Sequence, residues 1–205
     1  MALIKLNNRG VRNVSTFGSV GGGSMIFIKK LTASSSATLS FVDGTSDVVL
    51  DDTYKEYLFT FNSMHPATNA AEFEFNMSID SGSNYNVTKT TTVARAFHDE
   101  GDTMTGLQYR TADDLAQSTS NQLLMADVGS DNDQCGSGYL RLFNPSSTTF
   151  VKHFVANTNT CNADDLNLHH LTAGYGNTTS AVDAVQFKMS SGNIDAGDIC
   201  LYGIK

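Results

Sequence analysis

The sequence predicts an all-β protein, an antiparallel two-sheet sandwich of jelly-roll type behind an extended N-terminal arm. Three observations predict it. Apolar and polar residues alternate in short runs, the signature of half-buried strands. Clusters such as DGTSD, SGSN and SSGN separate those runs with turn-forming residues. No stretch keeps a helical period for more than two turns. About ten strands with one buried face each fit a two-sheet sandwich, with a closed barrel as the alternative.

The arm comes first, over residues 1–24, and the body follows over 25–205. ALIKLNNRGVRNVSTFGSVGGGS carries Lys5, Arg9 and Arg12 and no acid, so it is basic on an acidic chain. Leu3, Ile4, Leu6, Val11, Val14 and Phe17 follow neither a helical nor a strand period. The segment ends in Gly21-Gly22-Gly23-Ser24, a flexible connection. A basic, partly apolar segment before a glycine hinge reads as a docking peptide that orders on a partner. Leu3, Ile4, Lys5, Leu6, Arg9, Arg12 and Phe17 would make the contacts. The alternative is a terminus packed loosely on its own domain.

Strands are expected over residues 25–31, 37–42, 47–50, 54–64, 72–79, 90–98, 139–143, 150–157, 166–174, 181–189 and 198–204. FEFNMSI alternates strictly. Phe73, Phe75, Met77 and Ile79 face one way and Glu72, Glu74, Asn76 and Ser78 the other, which predicts one wet sheet face. Residues 112–128 break the pattern and read as a helical turn over 113–117 followed by a strand over 122–126. At the C-terminal end, Val182, Val185, Phe187 and Met189 precede SSGN, and Ile199, Leu201 and Tyr202 follow it. This reads as two antiparallel strands joined by a short loop, closing the body just before Lys205.

Composition narrows the function. Charged residues are only 17% of the 205, below the roughly 25% of an ordinary soluble domain. The net charge of −8 disfavours nucleic-acid binding, because an acidic surface gains nothing from counterion release. No apolar run is long enough for membrane insertion, and MALIKLNNRG turns polar too soon for a signal peptide. Cys135 and Cys161 fall in polar loops and Cys200 in a strand as a buried thiol. A disulfide between Cys135 and Cys161 needs those loops to meet in space; three free thiols is the preferred reading.

No catalytic residue, cofactor or metal is predicted. The chain lacks a GxSxG elbow, and its Gly21–Gly23 run lacks the context of a phosphate loop. Asp131 and Asp133 have the spacing of a calcium loop without its distal Glu. Asp51-Asp52 and Asp164-Asp165 read as turn caps. His98-Asp99-Glu100-Gly101-Asp102 reads as a metal cluster or a polar loop. His65 sits at a strand exit, His153 points inward, and His169 and His170 face opposite ways. Tyr85, Tyr109 and Tyr175, in or beside polar loops, are candidate glycan contacts or seals at the end of the sandwich.

The opening MALIKLNNR, the central YLFTFNSMHPAT and FNPSSTTFVKHF, and the closing VQFKMSSGNIDAGDICLYGIK together resemble short virion proteins of tailed bacteriophages, especially phages of marine bacteria. The resemblance implies a non-enzymatic decoration protein, head fibre or short accessory fibre on the virion surface. Such a protein would be made in the host cytoplasm and released by lysis. It would contact other capsid or tail proteins through its arm and form a homotrimer. The alternative is a receptor-binding fibre or adhesin module that contacts host-surface glycan.

Overall fold

The computed structural model describes residues 24–205. Leu3, Ile4, Lys5, Leu6, Arg9, Arg12 and Phe17, expected from the sequence to dock on a partner, lie outside the described residues. The described chain is all-β and folds into two antiparallel sheets. Its strands are β1 (Met25–Thr32), β2 (Leu39–Val42), β3 (Glu56–Pro66), β4 (Ala71–Ser78), β5 (Lys89–Asp99), β6 (Thr105–Tyr109), β7 (Gln122–Val128), β8 (Gly136–Phe143), β9 (Lys152–Cys161), β10 (Leu166–Gly176), β11 (Ala184–Met189) and β12 (Ile194–Ile204).

The wide sheet has the order β1-β12-β3-β8-β9-β10-β5-β6, and the small sheet the order β2-β11-β4-β7. Four nested pairings organise them: β1 with β12, β2 with β11, β3 with β8 and β4 with β7. The chain thus forms a doubled-back ribbon whose pairs fall alternately in the two sheets. β5 and β6 are inserted where the ribbon turns, between β4 and β7. β9 and β10 are inserted between β8 and β11. Both insertions extend the wide sheet on the far side of β8.

Strand alternation fills the space between the layers. Tyr57, Phe59 and Phe61 of β3, Leu140 and Leu142 of β8, and Ile199 and Leu201 of β12 face Phe41, Phe73, Phe75, Val185 and Phe187 of the small sheet. Phe187 is the hub: its ring centroid lies 5.2–6.3 Å from those of Phe41, Phe59, Phe61, Phe73 and Phe75. Burying each such ring stabilises the fold by about 1.5–3 kcal/mol.

The strand layout departs from the sequence reading at several places. The closing strands do not pair with each other. β11 pairs with β2 and β4 in the small sheet, and β12 with β1 and β3 in the wide one. Residues 190–193 carry the chain between layers, with Gly192 at φ 68°, a conformation that glycine adopts without strain. Alternation reports a buried face, and that face is satisfied as well across a core as beside a neighbour.

Residues 47–50 form no strand, because Ser46 and Asp47 both take positive φ and turn the chain. Val48 and Leu50 are nonetheless buried. Residues 113–117 form no helix. Leu115 and Ser118 instead bond the backbone of Thr91 and Lys89 beside β5, which takes the groups a helix would need. β6 was not anticipated, since its positions are half-buried or exposed and bear no core-facing alternation.

The polar face of β4 is wet only near its start. Asn76 and Ser78 are buried, while Ile79, assigned to the apolar face, is exposed.

Candidate functional site

The inserted strands build a surface that the core ribbon lacks. On β9, β10 and β5 the inward positions include Phe154, Thr158, Leu168, His170, Thr172 and Val93. Alternation then turns His153, Val155, Asn157 and Asn159 outward from β9. Leu171, Ala173 and Tyr175 face outward from β10, and Thr92, Ala94 and Ala96 from β5. Register aligns them in rows across the sheet. One row runs Val155, Ala173, Thr92, and the next runs Asn157, Leu171, Ala94, Tyr109. The third runs Asn159, His169, Ala96, Leu107. None of these row positions is Asp, Glu, Lys or Arg.

Small side chains hollow this face. Ala94, Ala173 and Thr92 lie lower than the apolar residues around them. Two shallow depressions of 310 Å³ each result, and they share Thr92, Val155 and Ala173 to make one trough. Tyr109 and Leu171 border one part, with Tyr109 54% and Leu171 46% exposed. His153 and Tyr175 border the other, their rings 5.9 Å apart. The Tyr109 hydroxyl donates to Asp114 Oδ2 at 2.5 Å, which fixes the ring and raises the phenol's pKa. The trough therefore offers two aromatic walls over a floor of small side chains, with the Asp114 carboxylate held at the Tyr109 hydroxyl outside its lining.

Tyr109 and Tyr175 thus meet on one face. Tyr85 lies elsewhere: its hydroxyl closes over the turn at Gly82 beside Val42 and lines neither depression. The register that joins Tyr109 to Leu171 through Ala94 spans over sixty residues of sequence. No local signal could have revealed it.

His153 is exposed beside Tyr175 rather than inward, because its neighbours Lys152 and Phe154 take the buried phase. His169 and His170 do face opposite ways: His169 Nε2 bonds Asn157 Oδ1 at 2.8 Å, and His170 is fully buried. His65 Nδ1 lies 2.8 Å from the Gln134 carbonyl oxygen. His98 and Asp102 approach to 3.3 Å in solvent. Asp99 is spent on its own turn. Its carboxylate accepts from the Thr103 hydroxyl and the Thr103 and Met104 amides, which hold its pKa down to about 2. Among the described residues no group of three or more His, Cys, Asp or Glu is arranged to hold a metal ion. Cys135, Cys161 and Cys200 are free thiols.

Sequence reasoning missed two buried lysines. Lys89 and Lys152 are the register partners of Gly176 on its two sides. Lys89 Nζ donates to Asn76 Oδ1 at 2.6 Å and to the Val87 carbonyl at 2.8 Å. Lys152 Nζ donates to the carbonyls of Phe150 and Thr178 at 2.6 and 3.2 Å. Burial lowers the pKa of both, that of Lys89 to about 7. The available signal was phase: Lys89 alternates with Thr91 and Val93, and Lys152 with Phe154 and Ala156.

The chain matches no protein-family model, no curated protein and no solved structure.

Proposed function

We propose that this chain is a non-enzymatic structural protein on the surface of a tailed-bacteriophage virion. It is a capsid decoration protein, head fibre or short accessory fibre, anchored by residues 1–24 and assembled as a homotrimer. The single observation that carries a contact role is the outer face of the inserted strands. It holds exposed Tyr109, Val155, Leu107 and Leu171, while the row positions on a chain of net charge −8 carry no formal charge. Interface centres are depleted of charge and enriched in aromatic side chains, because desolvating an ion costs more than desolvating a methyl or a ring. We read the sandwich as of jelly-roll type, supported by the four nested pairings of its ribbon.

The virion reading rests on the sequence resemblance, and the experiment addresses it directly. Particles assembled with the full chain are compared with particles assembled with a chain lacking residues 2–24, with the bound copies quantified. Loss of the truncated chain from particles supports anchoring by the arm. Equal incorporation overturns it.

A second reading, contact with host-surface glycan, is favoured by the placement of Tyr109 and Tyr175 on one trough with the Asp114 carboxylate beside it. A sugar ring can stack on a tyrosine while its hydroxyls bond a fixed carboxylate. A glycan array probed with the full chain separates the readings: a reproducible signal that Tyr109→Ala weakens supports a receptor-binding role.

A further inference from the structure

We infer that Cys135 and Cys161 are a disulfide-forming pair that staples β8 to β9 at the root of the inserted strands. The pairing of these strands runs from Leu142 opposite Phe154 to Gly136 opposite Thr160. Continuing that register by one residue sets Cys135 directly opposite Cys161. The Cys161 amide donates to the Cys135 carbonyl at 3.1 Å, so the two backbones are still in contact there.

Directly opposed residues that share a ladder hydrogen bond, as these two do, have Cα atoms about 5.5 Å apart and side chains on the same face. A disulfide needs about 4.4–6.8 Å. Alternation puts both thiols on the outer face, in phase with exposed Ser137 and Asn159, and each is half-buried rather than sealed. The ladder also loosens at this point, which leaves room for the sulfurs to close. The Cys161 carbonyl accepts from Gly129 rather than from β8.

The third thiol is excluded from this chemistry. Cys200 lies on β12 opposite Lys30 and Thr60, and β3 separates it from β8. It is also buried. Of the three pairings open to three cysteines, only Cys135 with Cys161 joins positions that oppose each other on neighbouring strands.

The oxidant is a small external disulfide such as oxidised glutathione. One cysteine thiolate attacks it, forming a mixed disulfide and expelling one glutathione thiolate. The second cysteine thiolate then attacks the protein sulfur and expels the other. Two protein thiols and one glutathione disulfide thus become one protein disulfide and two glutathione thiols. Burial and the nearby carboxylates of Asp165, Glu100 and Asp133 hold the Cys161 thiol protonated, so the reaction runs faster as pH rises.

The experiment incubates the folded full chain with oxidised glutathione at mildly alkaline pH. The acid-quenched protein is then unfolded and its free thiols are counted. The expected count falls from three to one, peptide mapping joins Cys135 to Cys161, and the melting temperature rises by about 5–10 °C. In Cys200→Ser the count falls to zero with the same linked peptides. A count that stays at three, a persistent glutathione adduct on either cysteine, a link to Cys200 or a chain-to-chain crosslink overturns the pair.

Discussion

Lys89 and Asn76 join the two sheets through a buried hydrogen bond of 2.6 Å, from the first residue of β5 to the middle of β4. The Asn76 carboxamide is fully engaged. Its oxygen also accepts from the Met77 amide, and its nitrogen donates to the Thr119 carbonyl and the Asn121 side-chain oxygen. Among the described residues no carboxylate bonds Lys89 Nζ, whose two partners are both neutral oxygens. Two N–H groups of the amine are thus paired, while its charge is uncompensated.

This arrangement predicts a stability that climbs with pH above neutrality. Lys89 has a pKa of about 7 in the folded chain and about 10.5 when unfolded. Between those values the unfolded chain binds a proton that the folded chain does not. Stability therefore rises as pH rises from 7 toward 10.5, by at most about 1.4 kcal/mol per unit, and the penalty is fully present below 7. Lys89→Met removes the slope, and Asn76 keeps its Met77 donor. Urea titrations at pH 7 and pH 9.5 should show a gain for the parent chain that the variant lacks, with the variant the more stable at pH 7.

Phe187→Ala should be among the most damaging single changes. The ring touches five other phenylalanines from both sheets, and their backbones cannot all close on the space it vacates. A loss of about 3–5 kcal/mol is expected. Chemical denaturation should show the midpoint falling with the slope unchanged, the mark of altered stability rather than altered compactness.

Those phenylalanines also show what the sequence made legible. β3 and β4 stood out because Tyr57, Phe59, Phe61, Phe73 and Phe75 recur at every second position, against polar neighbours everywhere but Leu58, and their burial follows that phase. β6 did not, because Leu107 and Tyr109 are exposed at a sheet edge and Gly106 and Gln108 are only half-buried, so neither face bears a core signal. Val48 and Leu50 mimicked a strand from within a loop. The candidate site was half legible. Tyr109 and Tyr175 drew notice as aromatic residues in polar surroundings. The trough between them depends on Ala94, Ala173 and Val155 meeting across strands distant in sequence, a matter of register alone.

His170 should make the protein sensitive to mild acid. Its ring is fully buried, and among the described residues neither nitrogen has a hydrogen-bond partner. Burial first, and the Arg95 charge second, push its pKa down to about 4 from 6.5. Between those values the unfolded chain takes up a proton that the folded chain refuses. Stability is therefore lost as pH falls from 6.5 toward 4, and this contribution levels off below 4. His170→Met removes both the slope and two unsatisfied nitrogens. Because the carboxylates titrate alike in both proteins, the difference between their stability curves isolates the histidine. That difference should widen steadily from pH 7 down to pH 4.5.

The trough should separate binding from stability. Leu171 and Tyr109 project from the sheet into solvent, on the opposite side from the core, so replacing either changes little that the fold uses. Leu171→Glu and Tyr109→Ala should each leave unfolding free energy within about 0.5 kcal/mol of the parent. Their effects on binding differ in kind. Glu at 171 puts a charge in the middle of a neutral face whose row positions include no Lys or Arg, and any protein partner covering it must desolvate that charge. Incorporation into particles or assembly into trimers should then fall by tenfold or more, on the order of a 1.4 kcal/mol penalty. A glycan leaves the same carboxylate partly hydrated and is affected less. Removing the Tyr109 ring takes away a stacking surface and frees Asp114, which costs a sugar its platform and a protein partner only part of a wide contact. Particle incorporation falling most in Leu171→Glu identifies a protein-covered face. A glycan signal falling most in Tyr109→Ala, with incorporation intact in both variants, identifies a receptor-binding face.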